Sequence, residues 1–226
     1  MHFLVLVLGA DVEHQLAAYG DRATLPPYRR YVSPAELEVD QRVLREHPVD
    51  GVDPSDAAAV VRWGASGAEI GHDETGWFFW TTDNWRARWD YWTLGGRWSE
   101  HLIIKGTTLR YDAEAIKGSV DFDAMRTRAV AEAGQRWDEH RSKVATGQSD
   151  SLTTRIIGDL TREQFVAQRS WHPTFLVIDG VWYERGDLGY ACDVGEERIM
   201  QWRTFVEEEI ARLPDDTTIS CVDCHR

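Results

Sequence analysis

The sequence predicts an α+β fold, read as a single domain over residues 1–226: a mostly antiparallel sheet with helices on one face, around a ferredoxin-like core with insertions. Three observations lead there. Strand-like apolar runs stand near both ends of the chain. Hairpin-like pairs occur between them. Amphipathic helices are interspersed with the strands. The first and last strands are expected side by side at the centre of one sheet.

The elements follow in order. "HFLVLVLG", closed by Gly9, has the length and β-propensity of a strand buried on both faces. "SPAELEVDQRVLREHP" is a helix with explicit punctuation: Ser33 is the N-cap, Pro34 takes the first helical position, Glu36 completes a capping box and Pro48 is the stop. "PSDAAAVVRW" reads as a second, short helix. Gly, Thr and aromatics then dominate from Gly64 to Asn84, where "TGWFFWTT" reads as a strand in a hairpin. "RARWDYWTLGGRW" reads as an irregular loop, and "HLIIKG" and "TLRYD" as strands.

The longest helix is "VDFDAMRTRAVAEAGQRWDEHRSKV". Phe122, Met125, Ala129, Ala133, Trp137, His140 and Val144 recur there at spacings of three and four. "TGQSDSLTTR" is the loop or linker candidate, and "TREQFVAQ" a helix capped at Thr161. "TFLVIDGVWYER" reads as two strands around a tight Asp179-Gly180 turn. "GEERIMQWRTFVEEEIARLP" carries Ile199, Trp202, Val206, Ile210 and Leu213 on one side, and "TTISCVDCHR" is a last strand. There is no internal repeat and no low-complexity tract.

Composition narrows the function classes. A net charge of −13 repels a phosphate backbone at long range, so general nucleic-acid binding is not expected, although a local basic pocket is compatible with it. No run approaches the roughly 20 apolar residues of a membrane span. "MHFLVLVLGAD" lacks the basic region and cleavage site of a signal peptide. Three cysteines do not make a secreted disulfide framework, so a reducing cytoplasm is the expected location.

Two constellations carry candidate chemistry. The first is the stretch 86–98. Arg86, Arg88 and Arg97 interleave there with Trp85, Trp89, Tyr91, Trp92 and Trp98, beside Asp90 and the Gly95-Gly96 pair. Guanidinium forks suit phosphate or carboxylate, aromatic rings suit stacking, and glycines permit close backbone approach. A planar, anionic small molecule such as a nucleotide fits this set. A structural aromatic cluster with Arg stacked on Trp fits it too.

The second is "CVDCH". It matches the C-x-x-C-H haem pattern, but haem attachment needs an exported chain, so no haem is expected. A redox C-x-x-C belongs at a helix N-terminus, and zinc needs a second ligand pair. Period-two geometry gives a better reading. Cys221, Asp223 and His225 face one side of a strand, Val222 and Cys224 the other. Asp223 and His225 can then serve as orienting carboxylate and general base, or as ligands of a divalent metal. His101, three residues past Trp98, joins the ligand candidates. His140 reads as a core residue, His172 as able to point into a cleft, His72 as solvated.

These motifs carry a resemblance. "RWDYWTLGGRW", "DGVWYERGDLGY" and "LPDDTTISCVDCHR" resemble a family of uncharacterised phage and actinobacterial proteins with a central WDWY…GGRW motif and a D-C-H-I-like ending. The shared pattern falls on Trp89, Asp90, Gly95, Gly96, Arg97, Trp98, Gly180, Trp182, Tyr183, Asp223 and His225. Tyr91-Trp92 stands where the family tends to have Trp-Tyr, and Arg226 where it has Ile. The resemblance implies one shared site and brings no activity.

The expectation is an enzyme of hydrolase or transferase class acting on a nucleotide-like or other small anion. Asp223, His225 and Arg97 are its catalytic candidates. Arg88, Trp89, Asp90, Gly95, Gly96, Trp98, His101 and Trp182 are its ligand-binding candidates. The alternative is a non-catalytic small-ligand binder or a phage-type host-interaction protein. The enzyme reading requires the Gly-Gly-Arg-Trp loop and Asp223-x-His225 to converge in space.

Overall fold

The computed structural model describes all residues except 107, 149–159, 169–170 and 186–195. The linker candidate lies mostly outside the described residues, as do Cys192 and the end of "DGVWYERGDLGY". In chain order the elements are β1 (His2–Leu8), α1 (Val12–Ala17), β2 (Tyr28–Tyr31), α2 (Pro34–Glu46), α3 (Ala57–Gly64), β3 (Ile70–Asp73), β4 (Gly76–Thr81) and β5 (Tyr91–Leu94). There follow β6 (Leu102–Ile104), β7 (Arg110–Asp112), β8 (Glu114–Ile116), α4 (Phe122–Ala145), α5 (Arg162–Gln168), β9 (Phe175–Ile178), β10 (Val181–Glu184), α6 (Glu196–Arg212) and β11 (Thr218–His225). The fold class is α+β. Among the described residues no helix is long and apolar enough to cross a membrane.

By internal contact the chain forms two compact units, Met1–Gly20 with Arg88–Arg226, and Asp21–Ala87. The second is built on a three-stranded antiparallel sheet, β2-β4-β3, with α2 and α3. Its α2 has the expected capping box: the Ser33 hydroxyl accepts from the Glu36 amide while Glu36 accepts from the Ser33 amide.

The larger unit holds the main sheet, in the order β10-β9-β1-β11-β5, with β8 also on β11. The first and last strands are central and antiparallel, from His2↔His225 to Leu8↔Ile219. The far side of β11 is shared: β5 runs along Val222 to His225, and β8 along Thr218 to Ser220. One pairing is parallel, β1 with β9.

This order differs from the ferredoxin-like arrangement, in which the hairpin's second strand would lie beside the first strand of the chain. Here the hairpin's first strand takes that place. Burial supplies the reason. Phe175, Leu176 and Val177 are all buried and suit an inner strand, whereas β10 carries exposed Val181 and Glu184 and suits an edge. The turn between them is the expected one, with Asp179 at φ 49° and Gly180 at φ 72°.

The two faces of the sheet are covered differently. Leu4, Leu6, Leu8, Ile219 and Cys221 meet the long helices through Met125 of α4 and Trp202, Val206 and Ile210 of α6. The opposite face, with Val5, Val7, Phe175, Val177, Val222 and Cys224, packs against Leu16 of α1 and the partly buried Trp89, Trp92 and Trp182. Helices therefore lie on both faces, the two long ones on one and the short α1 on the other.

Candidate functional site

The strand alternation of "SCVDCH" holds. Cys221 joins the helix-covered core and Cys224 the aromatic one, so these thiols point to opposite faces and cannot share a metal or a disulfide. Burial raises both thiol pKa values, that of Cys224 to about 12, which makes them poor nucleophiles.

Asp223 lies on the helix-covered face, opposite Leu4 of β1, and is only 4% exposed. The chain comes to it from far away. After β5, Gly95 (φ 72°) and Gly96 (φ 51°) turn the backbone into a short 3-10 turn, Gly96–Trp98. There the Arg97 amide donates to Asp223 Oδ2 at 3.1 Å. A Cβ on Gly96 would stand 2.5 Å from the Asp223 Cβ. The glycine pair thus permits close approach, as the sequence indicates, and what it approaches is the Asp223 carboxylate. The loop and the C-terminal strand converge.

The pairing of acids with imidazoles differs from expectation. Asp223 does not partner His225. Its Oδ1 accepts from Nδ1 of His2 at 2.8 Å, across 221 residues of sequence. Nδ1 of His225 donates instead to Asp90 Oδ1 at 2.9 Å, and the Asp90 amide donates to the His225 carbonyl. Both pairs form diagonally across strands: His2 stands opposite His225 and diagonal to Asp223, and Asp90 precedes Tyr91, the strand partner of His225. The two imidazoles meet edge to face, ring centroids 4.9 Å apart. The result is two Asp–His pairs at one end of the sheet. The hydrogen bond from His225 holds the Asp90 carboxyl below its ordinary range.

His2 is the residue that sequence reasoning missed. Its signal was present: position 2 continues the alternation of Leu4, Leu6 and Leu8 onto the Asp223 face. The His2 ring is 32% exposed, and its Nε2 has no protein partner among the described residues. The Nε2 of His225 lies 3.1 Å from the Met1 nitrogen. Tyr91, the strand partner of His225, is 60% exposed and offers an aromatic surface on the same face. The Arg97 side chain is exposed, with no carboxylate in ion-pair range among the described residues.

The remaining candidates are dispersed. Trp182 packs on Tyr19 and Phe175 in the aromatic core, on the sheet face opposite Asp223. Trp89 belongs to that core too, its ring filling the space beside Gly20. Trp98 packs against the helix-side core. Arg88 lies 3.7 Å from Glu184, and Arg86 of the smaller unit stacks on Trp85. His101 hydrogen-bonds through Nε2 to the Trp171 carbonyl at 2.9 Å. Burial pushes its pKa down to about 4, so it is a neutral structural imidazole near neutral pH.

Much of the tryptophan concentration is therefore packing, while the acid, imidazole and glycine groups are the part that assembles. No group of three or more His, Cys, Asp or Glu side chains among the described residues is arranged to hold a metal ion, so Asp223 and His225 find no third ligand there. Comparisons with protein-family models, with curated proteins and with solved structures return no match for this chain.

Proposed function

We propose that the end of the main sheet is an acid–base site for a small anionic substrate, and that the protein is a hydrolase or transferase acting there. The observation that carries this reading is the Asp223–His2 pair. A buried carboxylate, fixed by the Arg97 amide, accepts a hydrogen bond from Nδ1–H of a partly exposed imidazole and leaves Nε2 without a partner among the described residues. That arrangement fixes the tautomer a general base needs.

In this reading His2 Nε2 removes the proton of a water or acceptor hydroxyl. His225, oriented by Asp90, lies beside His2 and passes a proton to the leaving group. Arg97 attracts the anion, and Tyr91 offers a ring face to a nucleotide-like body. The reading revises the expected roles: Asp223 orients His2 instead of His225, and Trp182, Trp89 and His101 leave the ligand set. The buried, reduced Cys221 and Cys224 suit a cytoplasmic protein. The phage and actinobacterial resemblance stands as part of the same proposal, because Gly96, Arg97, Asp90, Asp223 and His225 carry both.

The test is a panel of phosphate monoesters, phosphodiesters and nucleotides assayed for turnover with the wild type, His2→Gln and Arg97→Gln. Turnover that falls at least 100-fold in His2→Gln, with unfolding midpoint preserved, supports the proposal. Saturable binding without turnover in the wild type would replace the enzyme by a binder. No binding and no turnover across the panel would overturn both.

A further inference from the structure

The helix layer of the larger unit contains a cleft of about 600 Å³, bordered by α4, α5, α6 and His172. None of its residues belongs to the sheet-end cluster. Its volume lies within the roughly 300–1,000 Å³ of small-molecule sites.

The charges around it are unevenly matched. Arg126 pairs with Glu207 at 3.1 Å, and Arg162 with Asp138 at 3.1 Å. Nε2 of His172, whose side chain is 5% exposed, is 3.1 Å from the same Glu207. Burial pushes the His172 pKa down against the pull of Glu207. Glu163, the other acid of the cleft, is exposed to solvent.

Arg203 is the exception. Its Nη2 donates to the Ala167 carbonyl. Its Nε is buried without a partner, and no carboxylate among the described residues lies within ion-pair distance. Arg185 is in the same condition, half-buried with an orphaned Nε, and close enough that its charge opposes protonation of Arg203. Two half-dehydrated guanidiniums thus stand together, and among the described residues the acid that favours the charge of Arg203, Glu207, is already shared by Arg126 and His172. The partial burial of two like charges side by side favours an added anion there. Beside them the cleft presents apolar side chains to water: Met200 is 64% exposed and Val130 49%, and the partly buried Val166 lines it too.

We propose that this cleft binds a small amphipathic organic anion, with its carboxylate or phosphate head on Arg203 and its hydrocarbon body against Val130, Val166 and Met200. The guanidinium fork matches either head group, and the apolar wall requires a body that a bare inorganic anion lacks.

The experiment is calorimetric titration of the full chain with octanoate, octyl phosphate and inorganic phosphate. Octanoate or octyl phosphate binds saturably, and the ratio of their affinities identifies the head group. Inorganic phosphate binds at least tenfold more weakly than the better amphiphile. Arg203→Gln weakens the amphiphile at least tenfold. Met200→Glu, at an exposed position that leaves the fold intact, does the same. Arg97→Gln leaves the binding unchanged, which separates this cleft from the sheet-end site. Absence of saturable binding to the wild type, phosphate binding as tightly as octyl phosphate, or affinity that survives Met200→Glu overturns the proposal. So does affinity that follows Arg97 instead of Arg203.

Discussion

Asp223 and Asp90 each accept a hydrogen bond from an imidazole Nδ1, at 2.8 and 2.9 Å, yet the Asp223 side chain is 5% exposed and that of Asp90 44%. The same chemical pair is thus built twice at one end of one sheet, once inside and once at the surface. At Asp90 water can replace any donor, and solvent screens the charge. At Asp223 it cannot: the carboxylate depends on the His2 ring and the Arg97 amide, and that amide has its acceptor there. The buried carboxylate itself gathers three distant segments: β1, the Gly96–Trp98 turn and β11.

The sharpest way to break the comparison is to delete each acid. Asp223→Ala removes a buried acceptor from two donors and is expected to destabilise the protein by about 2–4 kcal/mol, from leaving both donors without a partner. Urea unfolding measures it, and a loss below about 1 kcal/mol would show that water already serves the site.

His101 extends the comparison to an imidazole with no carboxylate at all. The unfolded ring takes its proton near pH 6.5, and the folded one resists until about 4. Between those values the unfolded state binds more protons, so stability present above pH 6.5 is lost as pH falls toward 4, by up to about 3 kcal/mol. His172 acts in the same direction. Unfolding free energies at pH 7, 5 and 4 should fall less steeply in His101→Gln than in the wild type. Parallel pH profiles would remove His101 from the acid response.

Gly96→Ala tests the approach to Asp223 from the other side. The new Cβ would meet the Asp223 Cβ at 2.5 Å, on a backbone with φ 51°. Neither atom sits at the end of a flexible side chain, so a loss of about 2 kcal/mol is expected. Gly51 and Gly67, with open space around them, serve as controls for positive φ alone. The smallest effect belongs to the exposed acid. Asp90→Asn should leave the urea midpoint unchanged, while the NMR ring resonances of His225 move as its hydrogen-bond partner changes. An unfolding change as large as that of Asp223→Ala would mean the surface pair is structural as well.

Part of this was legible in the sequence. Gly95-Gly96 announced a close backbone approach, Asp223 and His225 one strand face, and Ser33 and Asp179-Gly180 their cap and turn, because each depends on a few consecutive residues. The strand at Tyr91–Leu94 was not legible. Its "YWTL" has no strong alternation, and it becomes a strand by pairing with β11. Trp89 and Trp182 looked like ligand platforms because tryptophan is equally suited to a pocket wall and a core, and local sequence does not distinguish the two.

The sequence by itself determined the α+β class, the capped helices, the hairpin turn and the face on which each residue of the terminal strands lies, since periods of 2 and 3.6 are properties of a local backbone. Only the tertiary structure decided which imidazole meets which carboxylate. That choice follows from the register His2↔His225 and Tyr91↔His225 and from the placement of the Gly96–Trp98 turn over Asp223. Alternation assigns a side chain to a face, but its neighbour across the strands is set by burying the β1, β9 and β11 side chains together, a condition that no segment satisfies alone.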